Sequence, residues 1–229
     1  MMDQPARLVV LFDVDNTLLD NDLVLARLKR EMAGVLPRKL EDTFWEIYEQ
    51  VRHDTDLVDF PMTLERFGEL CPDAACIGAV HAVLYGFPFQ DCLYPGALAA
   101  IRHVESFATP VILSDGDQFF QRYKIRASGL EEAVAGKVLV YIHKERNTGN
   151  VQRRFPAAHY AVIDDKPRVQ VAMKRAMGAN LTTVMVQQGK YARRLTQRSR
   201  RAIDIILPGI GDMLALSAGD LTAAKEMAA

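Results

Sequence analysis

The stretch Leu8-Val9-Val10-Leu11-Phe12-Asp13-Val14-Asp15-Asn16-Thr17-Leu18 decides the fold. Its first five residues are all apolar and include two valines, which reads as a strand buried on both faces. Acids and turn residues follow at once. In open α/β sheets such a carboxyl end is where ligands bind. Residues two apart in an extended chain point the same way, so Asp13 and Asp15 enter one site. Two carboxylates that close repel unless a cation neutralises them. The pair therefore suits a hard metal ion plus one carboxylate poised as a general acid. The same residues also read as a capped turn, with Asp15 or Thr17 starting a helix.

Further short apolar runs lie at residues 110–113, 138–142, 160–163, 182–186 and 205–207. Helical patterns between them give the signature of βαβ units on a parallel sheet. Residues 22–89 differ, with no good strand. Leu40, Phe44, Ile47, Tyr48 and Val51 recur at helical spacing, as do Ile77, Val80, Val83, Leu84 and Phe87. Pro37, Pro61 and Pro72 fall near helix starts or breaks. This predicts an all-helical insertion of three or four helices. The α/β core resumes at Tyr94-Pro95-Gly96, and Leu98, Ile101, Val104 and Phe107 form a core-facing stripe. The expected division is a core of residues 1–19 and 92–229 and a helical domain of residues 20–91, with hinges at 19–21 and 91–95.

Three more strand ends carry chemistry. Ile112-Leu113-Ser114-Asp115-Gly116-Asp117 offers a hydroxyl and backbone N–H groups for an oxyanion, or else a plain turn. Val140-Tyr141-Ile142-His143-Lys144-Glu145 places Lys144 where it could neutralise phosphate and aspartate charge, although a lysine after a strand is usually solvated. Lys137 lies at the wrong end of that strand. Tyr160-Ala161-Val162-Ile163-Asp164-Asp165-Lys166 provides adjacent acids that can complete an oxygen shell for magnesium, or a helix N-cap pair before Pro167. Each signal is weak alone. All four fall at the same end of successive strands, which coincidence explains poorly.

Composition is ordinary and excludes disordered, collagen-like and low-complexity classes. The chain has 229 residues, 49% hydrophobic and 25% charged, enough for one large domain or a domain with an insertion. Its 28 basic and 29 acidic residues imply no global attraction to nucleic acid or anionic membranes. Three cysteines, Cys71, Cys76 and Cys92, form no zinc-like spacing, and their odd number suits a reducing cytoplasm. No apolar run approaches the ~20 residues of a membrane span. Asp3, and a five-residue apolar run ended by Asp13, argue against a signal peptide. The basic stretch 190–201 reads as a solvated face, with a polyanionic partner as the alternative. His53, His81, His103, His143 and His159 show no metal spacing.

The four motifs together resemble the haloacid dehalogenase superfamily, most closely its phosphatase branch with a helical C1-type cap. The resemblance spans nearly the whole chain, and its first motif is the specific one. It implies a Rossmann-like three-layer sandwich whose central parallel sheet has five strands, with the first strand in the middle, and an inserted helical cap that closes over substrate. It implies Asp13 as the nucleophile that forms an aspartyl-phosphate. Asp15 is then the acid for the leaving group and afterwards the base for water. Ser114 with the N–H groups of Asp115 and Gly116 holds phosphoryl oxygens, and Lys144 is the third-motif lysine. Mg2+ is held by Asp13, the carbonyl of Asp15 and Asp165, with Asp164 assisting. True dehalogenases of the superfamily lack an acid two residues after the nucleophile, so Asp15 points to a phosphatase of a small phosphorylated metabolite. A phosphomutase, or a catalytically weak binding or regulatory relative, is the alternative. The chain departs from the family's pattern at Glu145, where many relatives carry proline, in its Ile-Asp-Asp-Lys fourth motif, and at Val169 and Gln170, where a further acid is usual.

Overall fold

The computed structural model describes residues 6–55, 57–71, 73–192 and 195–223. Among these, six parallel strands form one sheet: β1 (Ala6–Phe12), β2 (Thr109–Asp115), β3 (Val138–Tyr141), β4 (Ala157–Asp164), β5 (Leu181–Val186) and β6 (Ile205–Leu207). Their order is β3-β2-β1-β4-β5-β6. The resemblance implied five strands with the first in the middle. The sheet instead adds β6 beyond β5, through Val184–Ile205 to Val186–Leu207 pairing, and β1 stands third.

Helices cover both faces, which makes a Rossmann-like α/β sandwich. One face of β1, Val10 and Phe12, packs with Ile112, Ile163 and Val184 beneath α5 (Ala97–Glu105) and α6 (Phe120–Ala127). The other, Val9 and Leu11, packs with Val111, Leu113 and Val162 against Met173 and Met177 of α9 (Pro167–Met177). The short α7 (Leu130–Ala133) and α8 (Thr148–Arg154) complete these connections. Burial on both sides is why these strands read as unbroken apolar runs. On α5, the buried residues are Ala97, Ala100, Ile101 and Val104, while the expected Leu98 and Phe107 are only half-buried.

Between β1 and α5 stand α1 (Asn21–Val35), α2 (Arg38–Thr55), α3 (Phe60–Leu70) and α4 (Ala74–Gly86), with no strand among the described residues between them. Asp20, Asp59 and Asp73 cap three of these helices by accepting from Leu23, Met62 and Ala75 amides. Pro61 sits in the first turn of α3, where its missing N–H costs nothing. Pro72 lies outside the described residues. Phe44, Ile47, Tyr48, Val51, Val80, Val83 and Leu84 are buried, while Leu40 and Ile77 are half-buried. The two chain passages into and out of this helical segment run side by side. Leu19 bridges Leu93, Asp20 N–H donates to the Cys92 carbonyl, and Tyr94 N–H to that of Leu18. Phe60 of the helical segment meets Phe120 of α6 at a tilt, and Tyr85 meets it edge-on. No helix among the described residues is long and apolar enough to cross a membrane.

Candidate active site

The carboxyl ends of β1, β2 and β4, with the turn after β3, converge on one cluster. Asp13 follows β1 directly, and its N–H still donates to the Ile163 carbonyl, which fixes where its side chain emerges. It is buried, with Oδ2 accepting from Thr17 Oγ1 at 3.2 Å and Oδ1 paired with Lys144 Nζ. Lys144 is wholly buried. Its ammonium also lies 2.7 Å from Asp164 Oδ2 and donates to the Leu113 carbonyl at 3.3 Å. Burial opposes that charge, but Asp13 and Asp164 hold the Lys144 pKa well above the ordinary lysine value.

The turn that delivers Lys144 combines a left-handed residue with a side-chain acceptor. His143 adopts a left-handed conformation, φ 59°, and Lys144 N–H donates to Asp115 Oδ1 at 2.8 Å. Asp115 thus orients the lysine through its main chain. Its other oxygen stands 3.7 Å from Lys166 Nζ.

Asp165 is the unusual member. It is fully buried, and neither carboxylate oxygen has a hydrogen-bond partner among the described residues. Burial, with Asp164 and Asp13 close by, pushes its pKa up to about 9. Asp13 is likewise raised to about 6 by burial, against the pull of Lys144. Carboxylate oxygens of Asp13, Asp164 and Asp165 lie within 4.8 Å of one another. Asp13, Asp115, Asp164 and Asp165 carry four negative charges when ionised. Lys144 and Lys166 return two, which leaves a deficit that a divalent cation matches. Asp164 is less free than Asp165, because its Oδ1 also accepts from Lys166 N–H at 2.7 Å.

Several expected contacts are arranged differently. The Gly116 N–H donates to the Tyr141 carbonyl at 3.1 Å, so it continues the ladder rather than facing a phosphoryl oxygen. Ile112 N–H also points toward β3, and strand amides alternate, so on this strand the Asp115 amide faces the β1 side. Gly116 has a different use. At φ 152°, a Cβ there would meet Gln121 Cβ at 2.8 Å. Its bareness lets Gln121 reach Ser114 Oγ at 2.8 Å and Asp15 Oδ2 at 3.3 Å. The Asp15 carboxylate is not in the metal-type cluster. Its Oδ1 pairs with Lys124 Nζ at 2.6 Å, which leaves only its backbone carbonyl as a candidate metal ligand.

Gln121, Lys124 and Lys166 were not among the expected site residues. A signal for the first two was present. Polar residues three apart, beside Phe120 and Ile125, sit on the buried side of α6, and lysine is rarely buried unless paired. At the usual place of the missing acid, Val169 is core. Gln170 donates instead to the carbonyls of Asp164, at 2.7 Å, and Val184. Glu145 pairs with Arg168. In the basic stretch, Lys190 N–H binds Asp22, and Arg198, Arg200 and Arg201 are exposed, while Arg193 and Arg194 lie outside the described residues.

A parallel Rossmann-like sheet that gathers aspartates, a buried lysine and a serine at its carboxyl edge defines a class of α/β hydrolases. The chain is 41% identical to a haloacid dehalogenase-like hydrolase from Burkholderia xenovorans, over 96% of this chain and 100% of that one, with a TM-score of 0.85. It belongs to the haloacid dehalogenase-like hydrolases. More distant structures share the fold at 16% identity. The HAD-hydrolase YfnB of Bacillus subtilis, solved bound to magnesium, aligns with a TM-score of 0.58 over 93% of this chain and 100% of that one. The L-2-haloacid dehalogenase of Xanthobacter autotrophicus, with chloropropionic acid covalently bound, aligns with 0.54 over 91% and 97%. No family model and no curated protein matches the chain.

Proposed function

We propose that this hydrolase is a magnesium-dependent phosphatase of a small phosphorylated metabolite. The observation that carries the reading is the buried Asp13–Asp164–Asp165 cluster, in which neither Asp165 oxygen has a hydrogen-bond partner among the described residues. Displacement of a halide by a carboxylate needs neither a cation nor a proton donor. Transfer of a phosphoryl group needs its charge neutralised. Asp13 and Asp165, with the Asp15 carbonyl and Asp164 beside them, would hold Mg2+. Bound there, the ion neutralises phosphoryl oxygens.

This chain's own residues do the rest. Lys144 adds fixed positive charge beside Asp13, and Ser114 Oγ with the Asp115 amide holds the phosphoryl group. An Asp13 oxygen attacks phosphorus as the ester P–O bond breaks, and the leaving oxygen takes a proton from Asp15. Water then attacks the aspartyl-phosphate, gives its proton to Asp15 and releases inorganic phosphate. Helices α1–α4 would act as a cap, hinged at the paired passages around Leu19 and Leu93, that closes over substrate and excludes water. Three free cysteines fit a cytoplasmic setting.

The test is p-nitrophenyl phosphate hydrolysis with Mg2+, with a chelator control, beside halide release from 2-chloropropionate. Expected are magnesium-supported phosphate release, its loss in Asp13→Asn, and no halide. Halide release without phosphate release would overturn the reading. So would binding of Mg2+ and phosphate without turnover of any phosphate ester, which marks a binding protein.

A further inference from the structure

Resting on the phosphatase reading, we propose that Lys124, assisted by Gln121, is the positioning residue that aims Asp15 at the leaving group. Lys124 is buried, and its ammonium bridges Asp15 Oδ1 at 2.6 Å and Asn21 Oδ1 at 3.4 Å. Gln121, one helical turn earlier on α6, reaches the other Asp15 oxygen and at the same time Ser114 Oγ. Both Asp15 oxygens are therefore held, one by an ammonium and one by an amide. That amide ties the carboxylate to the serine that would hold the phosphoryl group.

Nothing else about α6 requires a buried lysine there. Its neighbours Phe120 and Ile125 are buried apolar residues, and an unpaired ammonium among them would be costly. Asp15 sits in the turn between β1 and α1, beside Asn16 at φ 63°, and its carboxylate is held there by Lys124 and Gln121. Lys124 also touches Asn21, the first residue of the helical segment, while Phe120 and Tyr123 of the same helix contact Tyr85 within that segment. The helix that aims Asp15 is thus in contact with the helical segment as well. Both Asp15 oxygens accept here, so the proton for the leaving group reaches Asp15 only once substrate has entered, and Lys124 and Gln121 serve by fixing where the carboxyl stands. That favours a reaction only when the departing oxygen needs a proton.

That dependence separates positioning from mere stability. The experiment compares kcat/KM for an alkyl phosphate, glycerol 3-phosphate, with that for p-nitrophenyl phosphate, in wild type, Lys124→Met, Lys124→Arg and Gln121→Met. The value of kcat/KM reports the steps through ester cleavage. An alkoxide needs a proton in that step and p-nitrophenolate does not. Lys124→Met is expected to lower the alkyl value by about ten- to a hundredfold, and to leave the aryl value nearly unchanged. Lys124→Arg should restore part of the loss. Gln121→Met should lower both values, because its amide also holds Ser114 Oγ, and should lower the alkyl value further; that difference carries the test if Lys124→Met fails to fold. A wild type active on both esters, whose variants lose both values equally or keep both, would overturn the positioning role alone. A wild type inert on every phosphate ester would overturn the phosphatase reading, and this role with it.

Discussion

Asp165 illustrates how a single residue expresses the demands of this site. A carboxylate with a raised pKa binds its proton more tightly in the folded chain than in the unfolded one. Between about pH 4 and about pH 9 the metal-free protein therefore loses stability as pH rises, because the unfolded state ionises freely and the folded state resists. Thermal unfolding without divalent ions should show this decline. Added Mg2+ should raise the melting temperature more at pH 8.5 than at pH 5.5, since binding must displace that proton. A melting temperature flat over this range, with or without Mg2+, would contradict the cluster's electrostatics. Lys144 makes the opposite case, because Asp13 and Asp164 share its ammonium. Lys144→Met should cost about 3–5 kcal/mol in urea unfolding. The position of Asp13 and Asp15 just past the carboxyl end of an apolar strand was legible in the sequence. That Asp15 would turn to Lys124 was not, because residues 109 positions apart are brought together only by the sheet.

At the scale of elements, glycines mark where two loops must touch. Gly189 has φ 62°, and a Cβ there would lie 2.5 Å from Asn16 Cβ. Asn16 in turn accepts from the Asn21 and Asp22 amides, so the turn after β5 buttresses the turn after β1. Gly189→Ala should destabilise the fold by about 1–3 kcal/mol and raise hydrogen exchange in residues 16–22. Protection in that loop equal to wild type would show that the buttress is dispensable. The strands were readable because burial on both faces leaves an apolar run. The α5 stripe was less so, since a helix on a sheet can use alanines where the pattern suggested Leu98 and Phe107. Gly116 likewise read as an oxyanion donor, whereas its amide pairs with Tyr141 and its missing Cβ makes room for Gln121.

Across the whole molecule, the helical segment and the α/β core meet through aromatic rings, with Phe120 buried against Phe60, Tyr85 and Phe89. Phe120→Ala should lower stability by about 3–5 kcal/mol and loosen α3 and α4 in hydrogen exchange before the sheet. Equal loosening throughout would mean that the two parts unfold as one. The alternation of strand and helix, the helical stretch between the first two strands, and the acids, serine and lysine at the strand ends are properties of the sequence itself. Each follows from local periodicity, or from polar residues that end an apolar run. Tertiary structure alone decided the sixth strand's place, the unpartnered Asp165, the swing of Asp15 toward α6, and the roles of Gln121 and Lys124. Those depend on which distant backbones lie side by side, and on which buried charges find partners there. No local pattern encodes that, because desolvation and pairing act through space rather than along the chain.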